Sequence, residues 1–140
     1  MRFATNTSVV LWVLQALLAV FFALGSGAPK LLLPVEALPM PITLPAWFVR
    51  FIGTAEVLGA LGLILPGIFR RYSGVTPLAA AGLVLLTLCA TGYQLLAHQP
   101  ESALFAAVMS LLCATVAVGR WRRLASTHGS SKPAAAALAL

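Results

Sequence analysis

Glu56 sits in the middle of FIGTAEVLGALGLIL, residues 51–65, a stretch otherwise suited to lipid. An ionised carboxylate at the centre of a bilayer costs about 2.5–3.5 kcal/mol on insertion scales. Two escapes exist: the group is neutral because desolvation favours its protonated form, or it pairs with a cation or hydrogen-bond donors. Either one requires Glu56 to face protein. Gly53, Gly59 and Ala60 lie three or four residues away and share its face on a helix. Small residues let helix backbones approach closely in lipid. Glu56 therefore belongs in a tight seam between helices, as a proton site, a ligand contact or one half of a structural ion pair.

Other polar residues repeat at helical spacing. Thr87, Thr91, Gln94 and His98 follow i, i+4, i+7, i+11 along one face, with Tyr93 adjacent. Gln15, Ala19, Phe22 and Ser26 share a face that Lys30 continues. Arg50 lies six residues before Glu56, off its stripe and nearer the surface, where it snorkels outward or reaches a partner.

The elements that carry these residues follow from composition. Of 140 residues, 61% are hydrophobic and 9% charged, against about 25% charged in soluble domains. So short and apolar a chain needs lipid as its solvent. The fold class is all-α, a four-helix transmembrane bundle over residues 1–120. Its helices are predicted at about 9–28, 46–65, 75–97 and 102–119, each long enough for about 30 Å of hydrocarbon. Strict alternation is missing, which argues against a barrel. Thr7 or Ser8 is the predicted cap of the first helix, and Pro66-Gly67 the predicted stop of the second. Pro77 belongs in the first turn of the third, where its missing N–H costs little. The first run is long for a secretory signal and leads straight into Lys30, so it reads as a span. Residues 121–140 are predicted to be a basic juxtamembrane segment and then a disordered or weakly helical tail.

Four spans put both termini on one side, together with Arg2, Arg70, Arg71, Arg120, Arg122, Arg123 and Lys132. The positive-inside rule makes that side cytoplasmic. The net charge of +6 is thus a topology signal, since the basic residues flank apolar runs and form no stripe for nucleic acid. Arg120, Trp121, Arg122 and Arg123 form an anchor that also suits anionic lipid. On the other side, Ser26, Lys30, Arg50, Thr91, Tyr93, Gln94 and His98 converge from three helices. This predicts an outward-opening polar pocket with Glu56 at its floor. The apolar loop KLLLPVEALPMPITLPAW, with Pro34, Pro39, Pro41 and Pro45, lies near its lid. Gln15 is the main polar intrusion in the inner half.

The chain has no phosphate loop, nucleophile elbow or paired metal ligands, and no metal site is assigned. His98 reads as a helix cap, a pocket residue or a lone metal or haem ligand. Cys89 and Cys113 read as small buried hydrophobes, with a redox pair as the alternative.

The order of these features resembles the DoxX-like family of small bacterial membrane proteins, over about residues 8–120. The resemblance runs through LPAWFVRFIGTAEVLGALGLILP and a third helix ending YQLLAH; its best part is Phe51 to Pro66, with Gly53, Glu56, Gly59 and Pro66 in family-like places, while Lys30 and His98 match less specifically. The resemblance implies a four-helix bundle in the bacterial cytoplasmic membrane. It also implies, by analogy only, a link to quinone or thiol redox systems, because some relatives resemble subunits of a thiosulfate:quinone oxidoreductase. No cofactor is read from the residues themselves.

Three functional readings follow. The first is an accessory or binding subunit that holds a quinone or another lipophilic molecule, with a partner protein or a second copy. Glu56 would act there as acid or base, with Lys30, Arg50, Tyr93, Gln94 and His98 around the ligand. The second is an enzyme using Glu56 as general acid on a lipophilic substrate. The third is a structural or chaperone protein whose polar residues only hold the bundle.

Overall fold

Only structures that satisfy every backbone group internally can cross a bilayer, so long apolar runs become helices. A computed structural model of the chain describes residues 2–69, 71–72 and 74–129. Arg70, Lys132, the side chain of His128 and the tail from residue 130 lie outside the described residues. The first span begins with α1 (Arg2–Val20), widens into a π-helical stretch (Phe21–Gly27) and ends as α2 (Ala28–Leu32). A 3-10 turn (Val35–Ala37) interrupts the loop that follows. Then come α3 (Ala46–Phe69), α4 (Val75–Leu96) and α5 (Pro100–Gly129). No strand occurs among the described residues. Among the described residues, four helices are long and apolar enough to cross a membrane.

Several boundaries differ from expectation for local reasons. α1 starts at Arg2, so Thr7 and Ser8 lie inside it and not at its N-terminus. The first span also runs past residue 28, through Pro29. In an α-helix the Pro29 ring would press on the Gly25 carbonyl four residues back. The π-helical stretch removes that conflict: the Ala28 N–H already reaches back five residues to the Ala23 carbonyl. α3 likewise continues through Pro66 to Phe69. Prolines are tolerated in membrane helices when neighbours satisfy the loosened backbone. Here the buried Gln15 Nε2 donates to the Leu63 carbonyl at 2.7 Å, three residues before the proline. Pro77 does lie in the first turn of α4. α5 starts at Pro100 and runs on to Gly129, so the basic stretch predicted to follow the last helix is part of it.

Helix neighbours form a closed ring: α1 touches α3 and α5, α3 touches α4, and α4 touches α5. The central layer is dry. Leu63, Leu83, Cys113 and Val116 are at most 1% exposed there, with Leu18, Ala60 and Ala80 around them. The outside is equally apolar, since Leu24, Leu58, Leu78 and Leu111 are each over 60% exposed. So large an apolar surface is unstable in water, and lipid covers it. Cys113 is in the core as expected, whereas Cys89 is exposed on the apolar surface; both thiols are free.

Candidate functional site

The dry layer separates two polar ends. At one end, Gly27 and Gly53 bring the first span and α3 into backbone contact. A Cβ on Gly53 would stand 2.9 Å from the Lys30 Cβ and 3.1 Å from the Gly27 carbonyl oxygen. This crossing carries Lys30 over Glu56. Lys30 Nζ donates to both carboxylate oxygens, at 2.8 Å to Oε1 and 2.7 Å to Oε2. It also donates to Ser26 Oγ at 2.7 Å, and the Ser26 hydroxyl donates to Glu56 Oε1 at 3.0 Å. Ser26 and Lys30 are i, i+4, so the triangle closes within one face of the first span. The Glu56 side chain is 9% exposed and that of Lys30 27%. The carboxylate is thus doubly engaged at the bottom, and the ammonium faces the opening.

Above this pair lies a cavity of about 480 Å³. Its polar wall is Ser26, Lys30, Glu56, Thr87, Gln94, Glu101 and Ser102, and its apolar wall includes Phe22, Phe105 and Met109. Gln94 Oε1 is buried and has no hydrogen-bond partner among the described residues. Such an atom carries a desolvation penalty of roughly 1–3 kcal/mol until something donates to it. The threonines of its stripe are different. Thr87 and Thr91 donate their hydroxyls to carbonyls of their own helix, Leu83 and Thr87 respectively. Phe21 and Phe105 meet edge to face, 5.6 Å between centroids, and close the wall between the first span and α5. Ala90, Glu101 and Phe105 are exposed and line the same cavity, which therefore reaches the surface at these α4 and α5 residues.

The site thus joins Lys30, Glu56 and Gln94. Tyr93, Arg50 and His98 do not line this cavity. The Tyr93 hydroxyl donates to the Ile42 carbonyl and accepts from the Ile42 N–H at 3.0 Å, which ties down the proline-rich loop. Arg50 is half-buried, and its carbonyl accepts the Thr54 hydroxyl. His98 is exposed, with φ of 56°, in the turn between α4 and α5. No residue of the proline-rich loop beyond Lys30 lines the cavity. Ser26 lines the cavity, as its place among the converging polar residues predicted, whereas the α5 residues Glu101, Ser102 and Phe105 were missing from the predicted site. The i, i+4 spacing of Ser26 and Lys30 was a usable signal, but on α5 Glu101 and Ser102 stand in the first turn with only apolar residues below them as far as Ser110.

Tyr93→Phe should remove both contacts to Ile42, worth about 1 kcal/mol each at most. Faster amide hydrogen exchange over residues 38–45, with the thermal midpoint nearly unchanged, is the expected result. Unchanged exchange there would show that the loop is held by something else.

A sequence model described as the DoxX-like family matches residues 13–116, which include Lys30, Glu56 and Gln94. No curated protein and no solved structure gives a significant match.

Proposed function

We propose, for a chain that belongs to the DoxX-like family, that this small membrane protein is a binding subunit whose cavity beside Glu56 holds a lipophilic molecule with a hydrogen-bonding head. The observation that carries this is the unpartnered, buried Gln94 Oε1 in a cavity that also presents the Lys30 ammonium. A ligand hydroxyl would donate to Gln94, and a ligand carbonyl would accept from Lys30. A quinone and its quinol carry both groups, which agrees with the redox link of the family resemblance. Exposed Ala90 and Phe105 line the cavity where it reaches the surface, which suits entry from lipid. A partner protein or a second copy would then use the bound molecule.

The doubly engaged carboxylate supports a fixed anion that orients Lys30 more than it supports a neutral general acid. The termini are assigned to the cytoplasmic side of a bacterial inner membrane. Arg71, Arg120, Arg122 and Arg123 support that orientation through the positive-inside rule.

The test is ligand retention. The wild type and Gln94→Leu are purified gently from membranes, and their lipid extracts are compared by mass spectrometry. Leucine removes the acceptor while filling similar space, so the fold should persist and a co-purifying quinone or other lipophile should fall about tenfold, as expected for one lost buried hydrogen bond. Equal extracts from two equally folded proteins would reject the binding reading.

A further inference from the structure

The segment that joins the first span to α3 has the wrong composition for a linker in water. Between Leu31 and Trp47 its one charged residue is Glu36, and its one other polar side chain is Thr43. Its apolar side chains are not tucked into the bundle. Leu32 is 81% exposed, and Leu33, Ala37, Ile42 and all four prolines are exposed as well.

The backbone of this loop asks little of water. Four of the thirteen positions from 33 to 45 are proline and carry no N–H. Five more N–H groups are bonded within the protein. Leu33 donates to the Pro29 carbonyl, Ala37 to Pro34, Leu38 to Val35, Met40 to Leu38, and Ile42 to the Tyr93 hydroxyl. Unsatisfied backbone groups are what keep irregular segments away from lipid. Nine of thirteen positions raise no such objection as donors.

The depth of the loop follows from α3. Its 24 residues measure about 36 Å at the usual rise, against about 30 Å of hydrocarbon, so both ends reach the headgroup layers. Aromatic rings mark those ends: Trp47 is 72% exposed at one, and Tyr72, three residues past the other, is 76% exposed. Exposed Trp and Tyr rings settle at headgroup level. The loop stops two residues before Trp47, and Tyr93 of α4 grips it through both backbone groups of Ile42. It is thereby held at the level of the ring. Exposed Phe51 continues from Trp47 into the α3 surface that lipid covers.

We propose that residues 33–45 are an interfacial anchor whose partner is the lipid surface. The loop lies along the boundary between headgroups and acyl chains, with Leu33 and Ile42 in lipid and Glu36 toward water. Apolar and charged positions then separate by depth within one short loop. A protein laid over the loop would instead shield its exposed positions from lipid and water alike.

The test uses the full chain in vesicles of phosphatidylcholine and phosphatidylglycerol. Cys89→Ala leaves Cys113, which is fully buried and takes no label. One spin label is then placed at Leu33→Cys, Glu36→Cys, Ile42→Cys or Phe51→Cys, the last as the lipid reference. Electron paramagnetic resonance measures collisions with oxygen, which concentrates among acyl chains, and with a water-soluble nickel chelate, which is excluded from them. Relative to the Glu36 label, the labels at Leu33 and Ile42 should favour oxygen over nickel severalfold and approach the Phe51 label. The same ratio at all three loop positions, whichever reagent it favours, would overturn the proposal. Low access of both reagents at Leu33 and Ile42 would overturn it too, and would assign the loop to a protein partner or a second copy. Leu33→Cys keeps the test valid if the Ile42 label loosens the contact to Tyr93.

Discussion

Lys30→Met is expected to destabilise the bundle by about 3 kcal/mol, and Glu56→Gln by only about 1 kcal/mol. The asymmetry follows from where the two ends of the pair can go. Without Lys30, the Glu56 carboxylate keeps only the Ser26 hydroxyl. It sits ten residues into α3, about 15 Å below the start of the helix at the usual rise, and its short side chain does not reach water. An uncompensated charge at that depth is the expensive case. In Glu56→Gln the amide keeps the volume and still offers an oxygen to Lys30 and Ser26. Lys30, already 27% exposed and in the last turn of the first span, has a long arm that can carry its ammonium to the surface. The double variant should recover part of the Lys30→Met loss, because it buries no charge. Thermal or denaturant unfolding of the four proteins in one mild detergent gives the coupling energy directly. A Glu56→Gln loss as large as that of Lys30→Met, or a coupling near zero, would sink this account.

The same pair shows how much of the site is legible in a sequence. The cost of a charge in lipid is a property of one residue, so Glu56 declares itself, and its small neighbours declare the seam. The four spans follow from apolar length alone, which is why the fold class needed no pairing information. Arg50 was different. It is as polar as Lys30 and similarly placed near a helix end, but it lies off the Glu56 stripe, whereas the first span, with its π-helical turn at Phe21–Gly27, carries Lys30 to the carboxylate. A π register follows from a conflict between Pro29 and the preceding turn, and helical periodicity does not record it. Gln15 and Arg120 were hidden for another reason. They are 105 residues apart, and each has an adequate local explanation as an isolated polar residue or a topology signal. Pro66 misled in the opposite direction, because the rule that proline stops a helix assumes water as the competing partner. Gln15 instead supplies a donor within the same turn, to the Leu63 carbonyl.

Gly27→Ala is expected to cost about 1–3 kcal/mol and to separate Lys30 from Glu56 as well. A single methyl has this effect because the atoms it meets belong to backbone or are themselves packed. Its Cβ would stand 2.7 Å from the Phe22 carbonyl oxygen, 2.8 Å from Val57 Cγ2 and 3.1 Å from the Gly53 carbonyl oxygen. The Phe22 carbonyl belongs to the π-helical stretch, so relief on that side means rewinding the turn that presents Ser26 and Lys30. Relief on the other side means moving α3 outward, which carries Glu56 away from the ammonium. Either movement weakens the floor of the ligand cavity, so stability and ligand retention should fall together. Gly82→Ala is the matched control: it sits within α4 with nothing within 4 Å of its added methyl. That change should be neutral or stabilising by up to about 1 kcal/mol, since alanine is the better helix former. Thermal midpoints and extracted ligand, measured on both variants beside the wild type, separate packing from propensity. If Gly27→Ala tolerates heat and keeps ligand as well as Gly82→Ala does, the close crossing is not what holds the ion pair in place.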